Sequence, residues 1–263
     1  MRVLRFTPKP GSELGNDPLF GILEEDEQTI SIINGDPLFN GVAKNGQQTK
    51  LSEVRLLAPV LPRSKVVCVG KNYSDHAKEM GGEVPAEPII FLKPNTSVIG
   101  PNDVINWPWM SERIDHEAEL AIVIGRICKD VPRERASEVI FGYTIANDIT
   151  ARDLQSRDGQ WTRAKGFDTF CPIGPWIDTD FIPGNQEINC TVNGELKQRA
   201  TLNQMMFGVG EIIHFISSVM TLLPGDVILT GTPAGIGPIP EKGSVTCAIS
   251  GLGELTNKLS ARG

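Results

Sequence analysis

Strand-length apolar runs separated by turn residues recur along most of this sequence. Examples are Thr29–Ile33, Ala118–Ile124 and Val245–Ile249, and the 263 residues include 27 glycines. Apolar runs of about four to eight residues bounded by glycine, proline or asparagine predict β-strands. One longer apolar segment, Val209–Leu222, predicts a buried helix with apolar residues on all sides. Many strands and few helices predict an α+β, β-rich fold rather than a doubly wound α/β sheet.

Two local signals place further elements. Gly81-Gly82 ends a short helix predicted over Tyr73–Met80 and gives that segment a flexible stop, so that it could open and close as a lid. Asn193-Gly194, between alternating residues, predicts a hairpin over Ile188–Arg199.

The first 62 residues differ from the rest of the chain. Their short β-type runs alternate with turn signals, from Asn34-Gly35-Asp36-Pro37 to Leu61-Pro62, and they carry no chemically suggestive cluster. We therefore predict a small, β-rich N-terminal domain over residues 1–62, acting as a lid or an oligomer contact. A larger domain would comprise residues 63–263.

Composition limits the classes of partner. The net charge of −7 and the pI near 5.1 argue against a nucleic-acid binder. The five cysteines are scattered, without a zinc-ribbon spacing or a disulfide framework. Met1–Pro10 does not resemble a signal peptide, and the richest apolar stretch, Ile212–Leu223, is shorter than the roughly 20 residues needed to span a bilayer. We expect a cytoplasmic protein that binds neither nucleic acid nor membrane.

Acidic residues cluster around two apolar runs. If Glu117–Ile124 is a strand, Glu117 and Glu119 project from the same face. Asp148 follows the apolar run Ile140–Ala146 and could close a three-carboxylate site. Buried acids repel each other, and no protein cation is obviously matched to them, so a hard cation such as Mg²⁺ or Mn²⁺ would compensate. On the glutamate pair alone, a solvated strand face stays equally open, and Asp148 favours the metal site.

Several other chemistries are excluded. His116-Glu117 is not followed by a second histidine in zinc-protease register, and Gly208-Val209-Gly210 lacks the third glycine of a dinucleotide loop. The chain has three histidines, too few for a histidine-rich metal site. We expect His116 to have a structural hydrogen-bonding role and His214 to be a satisfied core histidine.

The residue pattern alone does not decide the roles of His76, Glu79 and Lys165. His76 and Glu79 lie three apart, so on a helix they share a face, either as a surface pair or as a catalytic dyad. Lys165 alone would be interpreted as a surface lysine.

Seven blocks of sequence, in order from about Val66 to Gly237, resemble the fumarylacetoacetate hydrolase family. They are VGKNYSDHAKEM, FLKP, DHEAELAIVIG, GYTIANDITARDLQ, WTRAKGFDTFCPIGPWI, the hairpin VNGE, and PGDVILTGTPAGIG. The resemblance implies a mixed β-sheet roll over residues 63–263 and, in most members, a homodimer. It implies a Mg²⁺ or Mn²⁺ ion held by Glu117, Glu119 and Asp148. It also implies roles for His76, Glu79 and Lys165 in catalysis, and for Arg152, Gln155 and Thr232 in substrate binding.

The implied activity is cleavage of the C3–C4 bond of a small 2-oxo acid through a metal-stabilised enolate, as in an oxaloacetate decarboxylase or an acylpyruvate hydrolase. Lys165 would act on the enolate rather than hold the metal. Where C4 is a ketone, His76, oriented by Glu79, would activate a water. The alternative is a 2-hydroxyhepta-2,4-diene-1,7-dioate isomerase or decarboxylase of aromatic degradation. A non-catalytic, metal-containing binding protein is a third possibility, which the intact acids and Lys165 disfavour.

Overall fold

The computed structural model describes residues 1–79, 81 and 85–263 of the chain. Within these residues strands far outnumber helices, which confirms the β-rich fold expected from the sequence. The helices are α1 Pro37–Asn40, α2 Ser74–Glu79, α3 Arg152–Asp158, α4 Thr162–Lys165 and α5 Val209–Val219. Short 3₁₀ helices cover Leu51–Glu53, Asn95–Ser97, Arg133–Val139 and Leu202–Gln204.

The strands follow the predicted runs closely. They are β1 Arg2–Pro8, β2 Leu19–Leu23, β3 Thr29–Ile33, β4 Lys44–Lys50, β5 Val54–Leu57, β6 Val66–Gly70, β7 Ile89–Lys93, β8 Val98–Ile99, β9 Val104–Ile105, β10 Ile114–His116, β11 Ala118–Ile124, β12 Ile140–Asn147, β13 Thr150–Ala151, β14 Cys171–Asp178, β15 Glu187–Val192, β16 Glu195–Thr201, β17 Val227–Leu229, β18 Gly237–Pro238, β19 Ser244–Ile249 and β20 Gly253–Leu259.

The largest sheet is mixed and runs through both predicted parts of the chain. Its order is β4-β3-β2-β1-β14-β12-β11-β17-β6-β7, with β5 on β1 and β8 on β14. The N-terminal strands join it where β1 pairs antiparallel with β14, Arg2 opposite Asp178. A five-stranded sheet, β16-β15-β19-β20-β9, packs against it, and β13-β10-β18 form a small third sheet.

The core is centred on β11, every residue of which is buried. This strand lies between β12 and β17 and is antiparallel to both. The start of β11 and the ends of β12 and β17 therefore meet at one edge of the sheet. Residues directly beyond these three strand ends form the site described below.

Helix α5 corrects two sequence-based predictions. It ends at Val219 rather than Leu222, because Leu222 exchanges backbone hydrogen bonds with Cys128 in an extended bridge. It is also buried on one face only: Ile212 and Ile213 lie in the core, whereas Val219 is 56% exposed. No helix of the described residues is long and apolar enough to cross a membrane.

Candidate active site

Three acidic side chains meet at the edge where β11 begins and β12 ends. Oxygens of Glu117, Glu119 and Asp148 lie within 4.8 Å of one another, and all three residues are buried. Glu117 occupies the break between β10 and β11 rather than the strand itself. The backbone is cross-braced here, because Asn147 Oδ1 accepts from the Glu117 N–H at 2.9 Å and the Asp148 N–H donates to Glu117 O at 2.8 Å.

Two buried lysines bind these carboxylates. Lys165 Nζ donates to Glu117 Oε2 at 2.8 Å and to Asp148 Oδ2 at 2.6 Å. Lys93 Nζ donates to Asp148 Oδ1 at 2.6 Å and to the carbonyl of Ile149 at 3.2 Å. The expectation that no protein cation is matched to the acids is therefore wrong. The two lysines come from α4 and β7, elements whose contact with Asp148 no local pattern predicts.

Arg152 supplies a third cation. It donates to Glu117 Oε1 at 2.5 Å and, through Nε, to Asp115 Oδ2 at 2.9 Å. Arg113 also binds Asp115, with Nε 2.8 Å from Oδ1, and Arg152 bonds Gln155 one turn along α3. The guanidinium of Arg152 is thus fixed from several sides before any ligand enters.

Glu119 stands apart from the other two acids. Its Oε2 accepts from the Gly231 N–H at 2.6 Å, and it forms no ion pair with any residue that the structure describes. Burial, followed by the negative charges of Asp148 and Glu117, raises the pKa of Glu119 well above its usual value. A buried carboxylate in this position needs either a proton or a cation.

The pKa of Glu117 moves the opposite way. Burial alone would raise it, but the nearby charges of Lys165 and Arg152 outweigh burial and hold the Glu117 pKa well below its usual range. Burial likewise lowers the pKa of Lys165, yet Asp148 and Glu117 raise it above its usual value. Lys165 and Glu117 therefore both stay charged near neutral pH.

The donor set fits a hard divalent cation. Three converging carboxylates are the oxygen ligands that Mg²⁺ and Mn²⁺ prefer. The ionised form of Glu119 lacks an ion-pair partner among the described residues, so a cation here would satisfy a buried charge. Glu117, Glu119 and Asp148 are the residues that would hold it.

His76 and Glu79 are also brought together. His76, only 5% exposed, lines the pocket, and its Nδ1 lies 3.2 Å from Glu79 Oε2. Glu79 accepts from the backbone N–H of Gly235 at 3.1 and 3.2 Å. The contact with Glu79 orients the imidazole of His76 and leaves its Nε2 to exchange a proton. The helix end predicted at Met80 and the flexible stop predicted at Gly82 lie outside the described residues, so the lid stays a prediction.

Thr232 and Gln198 form a hydrogen-bonded layer under the acids. Thr232 Oγ1 donates to Ala118 O at 2.9 Å and accepts from Gln198 Nε2 at 2.7 Å, so its hydroxyl proton is already used within the protein. Gln198 Oε1 also lies 3.1 Å from His116 Nδ1, which gives His116 the structural partner expected from the sequence. His214 is half-buried, with Nδ1 2.8 Å from the carbonyl of Val131.

The pocket has a cavity volume of about 30 Å³, within about 350 Å³ of space free of protein atoms that includes open solvent. Eight of the nine candidate residues line it, and Glu79 lies behind His76. The sequence patterns predict no site role for four residues near the acids, Lys71, Phe91, Lys93 and Trp161. The residues lining the pocket are Val69, Gly70, Lys71, His76, Phe91, Glu117, Glu119, Asp148, Arg152, Gln155, Trp161, Lys165 and Thr232.

The fold and the site now define the class. Residues 65–260 match the family described as fumarylacetoacetate (FAA) hydrolase C-terminal, and residues 1–59 match Rv2993c-like, N-terminal. The chain belongs to the fumarylacetoacetate hydrolase family, which confirms the resemblance seen in the sequence blocks. The division into domains at residue 62 stays a prediction.

Two relatives illustrate the range of similarity. Protein Rv2993c of Mycobacterium tuberculosis is 55% identical over 243 residues, covering 91% of each chain. Oxaloacetate tautomerase FAHD2B, mitochondrial, of Bos taurus is 44% identical over 249 residues, covering 90% of this chain and 78% of the relative.

Solved structures agree with the fold. A 5-carboxymethyl-2-hydroxymuconate delta-isomerase from Mycobacterium smegmatis superposes with a TM-score of 0.90 at 47% identity, over 99% of this chain and 100% of the other. Fumarylpyruvate hydrolase from Pseudomonas aeruginosa, in complex with Mn²⁺ and pyruvate, gives a TM-score of 0.73 at 34% identity, over 79% and 92% of the two chains.

Proposed function

We propose that this protein is a divalent-metal-dependent enzyme that cleaves the C3–C4 bond of a small 2-oxo acid, with oxaloacetate or an acylpyruvate as substrate. The observation that carries the proposal is the buried group of Glu117, Glu119 and Asp148, in which Glu119 has no ion-pair partner among the described residues. Support comes from the relative named for oxaloacetate and from the solved hydrolase that contains Mn²⁺ and pyruvate.

The charge of the site favours an anionic substrate. Glu117, Glu119 and Asp148 are balanced by the three cations that contact this group, which are Lys93, Arg152 and Lys165. With Glu119 ionised, the three acids and three cations are near neutrality, and a divalent cation would leave the cluster positive. A dianion such as oxaloacetate restores the balance.

The chain's own residues would do most of the work. A bound divalent cation supplies Lewis-acid polarisation of the keto group. Lys165 stays charged and would donate to the oxygen on which negative charge develops as the C3–C4 bond breaks. Arg152 and Gln155 would orient the substrate. Phe91 and Trp161, packed edge to face with ring centroids 5.2 Å apart, form an apolar wall that excludes water.

The group at C4 decides what His76 must do. If C4 is a carboxylate, it leaves as carbon dioxide, its electrons pass into the enolate, and a proton at C3 completes the product. If C4 is a ketone, a water must attack it, and His76, oriented by Glu79, would take the proton from that water.

A second candidate is proton transfer at C3 without bond cleavage, as in a tautomerase or isomerase. It is favoured by the relatives named oxaloacetate tautomerase and 5-carboxymethyl-2-hydroxymuconate delta-isomerase. It would use the same enolate, with His76 moving a proton at C3. Among the described residues, His76 is the only histidine that lines the pocket.

A substrate panel tests the proposal. Purified protein saturated with Mg²⁺ would be given oxaloacetate and acetylpyruvate, with pyruvate formation measured beside metal-only controls for spontaneous decarboxylation. The proposal predicts protein-dependent pyruvate from at least one of them. Enol–keto interconversion of oxaloacetate without pyruvate would favour the second candidate. Absence of both would overturn the proposal.

A further inference from the structure

Lys71 is a pocket cation that the proposed chemistry does not use. It directly follows β6 and lines the pocket, as do Arg152 and Lys165. Those two bind the carboxylates at short distances. Lys71 forms no ion pair or hydrogen bond through its ammonium with any residue in the described part of the chain. Lys71 is half-buried as a residue, and a pocket lysine whose charge has no partner among the described residues is suited to bind an anionic group of a ligand.

The backbone of Lys71 is held in an unusual conformation. Its φ is 56°, in the left-handed region that disfavours a residue with a Cβ. Such conformations persist where the surroundings impose them, and they cluster at functional sites.

Asn72 imposes that geometry. It is fully buried, and its Nδ2 donates to Phe207 O at 3.0 Å and to Thr230 O at 2.8 Å. Its Oδ1 accepts from the Phe207 N–H at 2.8 Å. The turn is therefore tied to two other segments, one of which carries the Gly231 amide that binds Glu119. These bonds fix the backbone at Lys71 relative to the segment that binds Glu119.

The wall beside Lys71 is apolar. A Cβ on Gly70 would lie 2.8 Å from the Trp161 ring, so glycine lets the indole close against the end of β6. A substrate whose carboxylate and keto group lie at the acids would run along this wall. An extended chain of a few carbons would bring its far end toward Lys71.

We propose that Lys71 binds the distal anionic group of the substrate and so selects dicarboxylic over monocarboxylic 2-oxo acids. This inference rests on the proposed function, because it assumes that the 2-oxo acid end lies at Glu117, Glu119 and Asp148. It adds the class of substrate, an acylpyruvate that carries a second carboxylate beyond C4, because the second carboxylate of oxaloacetate is itself the C4 group that leaves.

The test compares two ligands of equal chain length, 2-oxoglutarate and 2-oxopentanoate, by calorimetric titration into Mn²⁺-loaded protein. Unmodified protein should bind the diacid roughly 5- to 10-fold more tightly than the monoacid, the range for one partly exposed charge pair. Lys71→Met and Lys71→Asn should remove that preference and leave the monoacid unchanged. Lys71→Arg should retain the preference.

The two neutral variants separate charge from backbone conformation. Asparagine enters the left-handed region more readily than methionine, so an effect of backbone conformation would be smaller in Lys71→Asn than in Lys71→Met. An effect of charge predicts the same loss of preference in both variants. Lys78→Met is the matched control, since Lys78 is 70% exposed on α2 and paired with Asp75. A loss in Lys71→Met that Lys71→Asn restores, equal losses for both ligands, or no change would overturn the inference. If neither ligand binds the unmodified protein, the proposed binding of 2-oxo acids is wrong, and the inference is overturned with it.

Discussion

Lys165 Nζ lies 2.6 Å from Asp148 Oδ2, so a lysine ammonium binds an oxygen of one of the three residues to which we assign the metal. The same ammonium binds Glu117. Lys165 and a bound cation would therefore share two carboxylates. The lysine that would donate to the enolate is also the group that neutralises the metal ligands when no metal is bound.

The first prediction is that Lys165→Met lowers turnover by about 10²–10³, because one donor to the developing charge is lost. If Lys165 acted on the enolate alone, its loss would leave metal affinity nearly unchanged. The ion pairs predict instead that Mn²⁺ binds more tightly, since a competing positive charge is removed. Calorimetric titration of metal-free protein measures this, with Lys78→Met as control. A folded Lys165→Met protein with weaker Mn²⁺ binding would contradict the shared-carboxylate account.

The second prediction concerns proton release at Glu119. Because the pKa of Glu119 is raised in the folded protein, Glu119 keeps its proton to higher pH than a free glutamate, and Mg²⁺ binding within that pH range should release the proton. The stability that protonated Glu119 contributes is fully present below the usual glutamate pKa of 4.5 and is lost as pH rises through the raised folded-state value. Metal-free protein should therefore lose stability with rising pH in that window.

Calorimetric titration of Mg²⁺ in buffers of different ionisation enthalpy measures the number of protons released when the metal binds. Glu119→Gln should release fewer protons and show a flatter dependence of thermal stability on pH. The same proton release in Glu119→Gln as in the unmodified protein would assign the proton to another group.

The third prediction separates two activities. If His76 only activates water, His76→Ala abolishes hydrolysis of an acylpyruvate and spares decarboxylation of oxaloacetate, because carbon dioxide leaves without water. Both rates would be measured on one metal-saturated preparation. His214→Gln removes an imidazole outside the pocket and should leave both rates unchanged. Equal loss of both activities in His76→Ala would show that His76 holds the substrate or the geometry of α2 instead.

The convergence of the three acidic residues could be predicted from local sequence patterns. Glu117 and Glu119 alternate at the start of a buried strand, and Asp148 follows the strand that pairs with it. Those two regularities predict that the three carboxylates meet, and in the structure they do. Their role as metal ligands stays a prediction.

The contacts made by the buried lysines and by Gln198 could not be predicted from local patterns. Lys93 reaches Asp148 across 55 residues of sequence. Gln198 reaches Thr232 across 34. No periodicity links such pairs, because their contact depends on how the sheets pack. Lysine is usually exposed, so composition also points away from a buried pair such as Lys93 and Lys165.

The central claim is that catalysis depends on a divalent cation held by Glu117, Glu119 and Asp148. The most direct measurement is 2-oxo acid turnover by protein stripped with chelator and then titrated with Mg²⁺ or Mn²⁺. The protein would be compared with Glu119→Gln and with Glu112→Gln, whose side chain is 80% exposed and lies outside the pocket. We predict no turnover in chelator, full recovery with metal in the unmodified protein and Glu112→Gln, and little recovery in Glu119→Gln. Full turnover with chelator present, or full metal-dependent recovery in Glu119→Gln, would contradict the account.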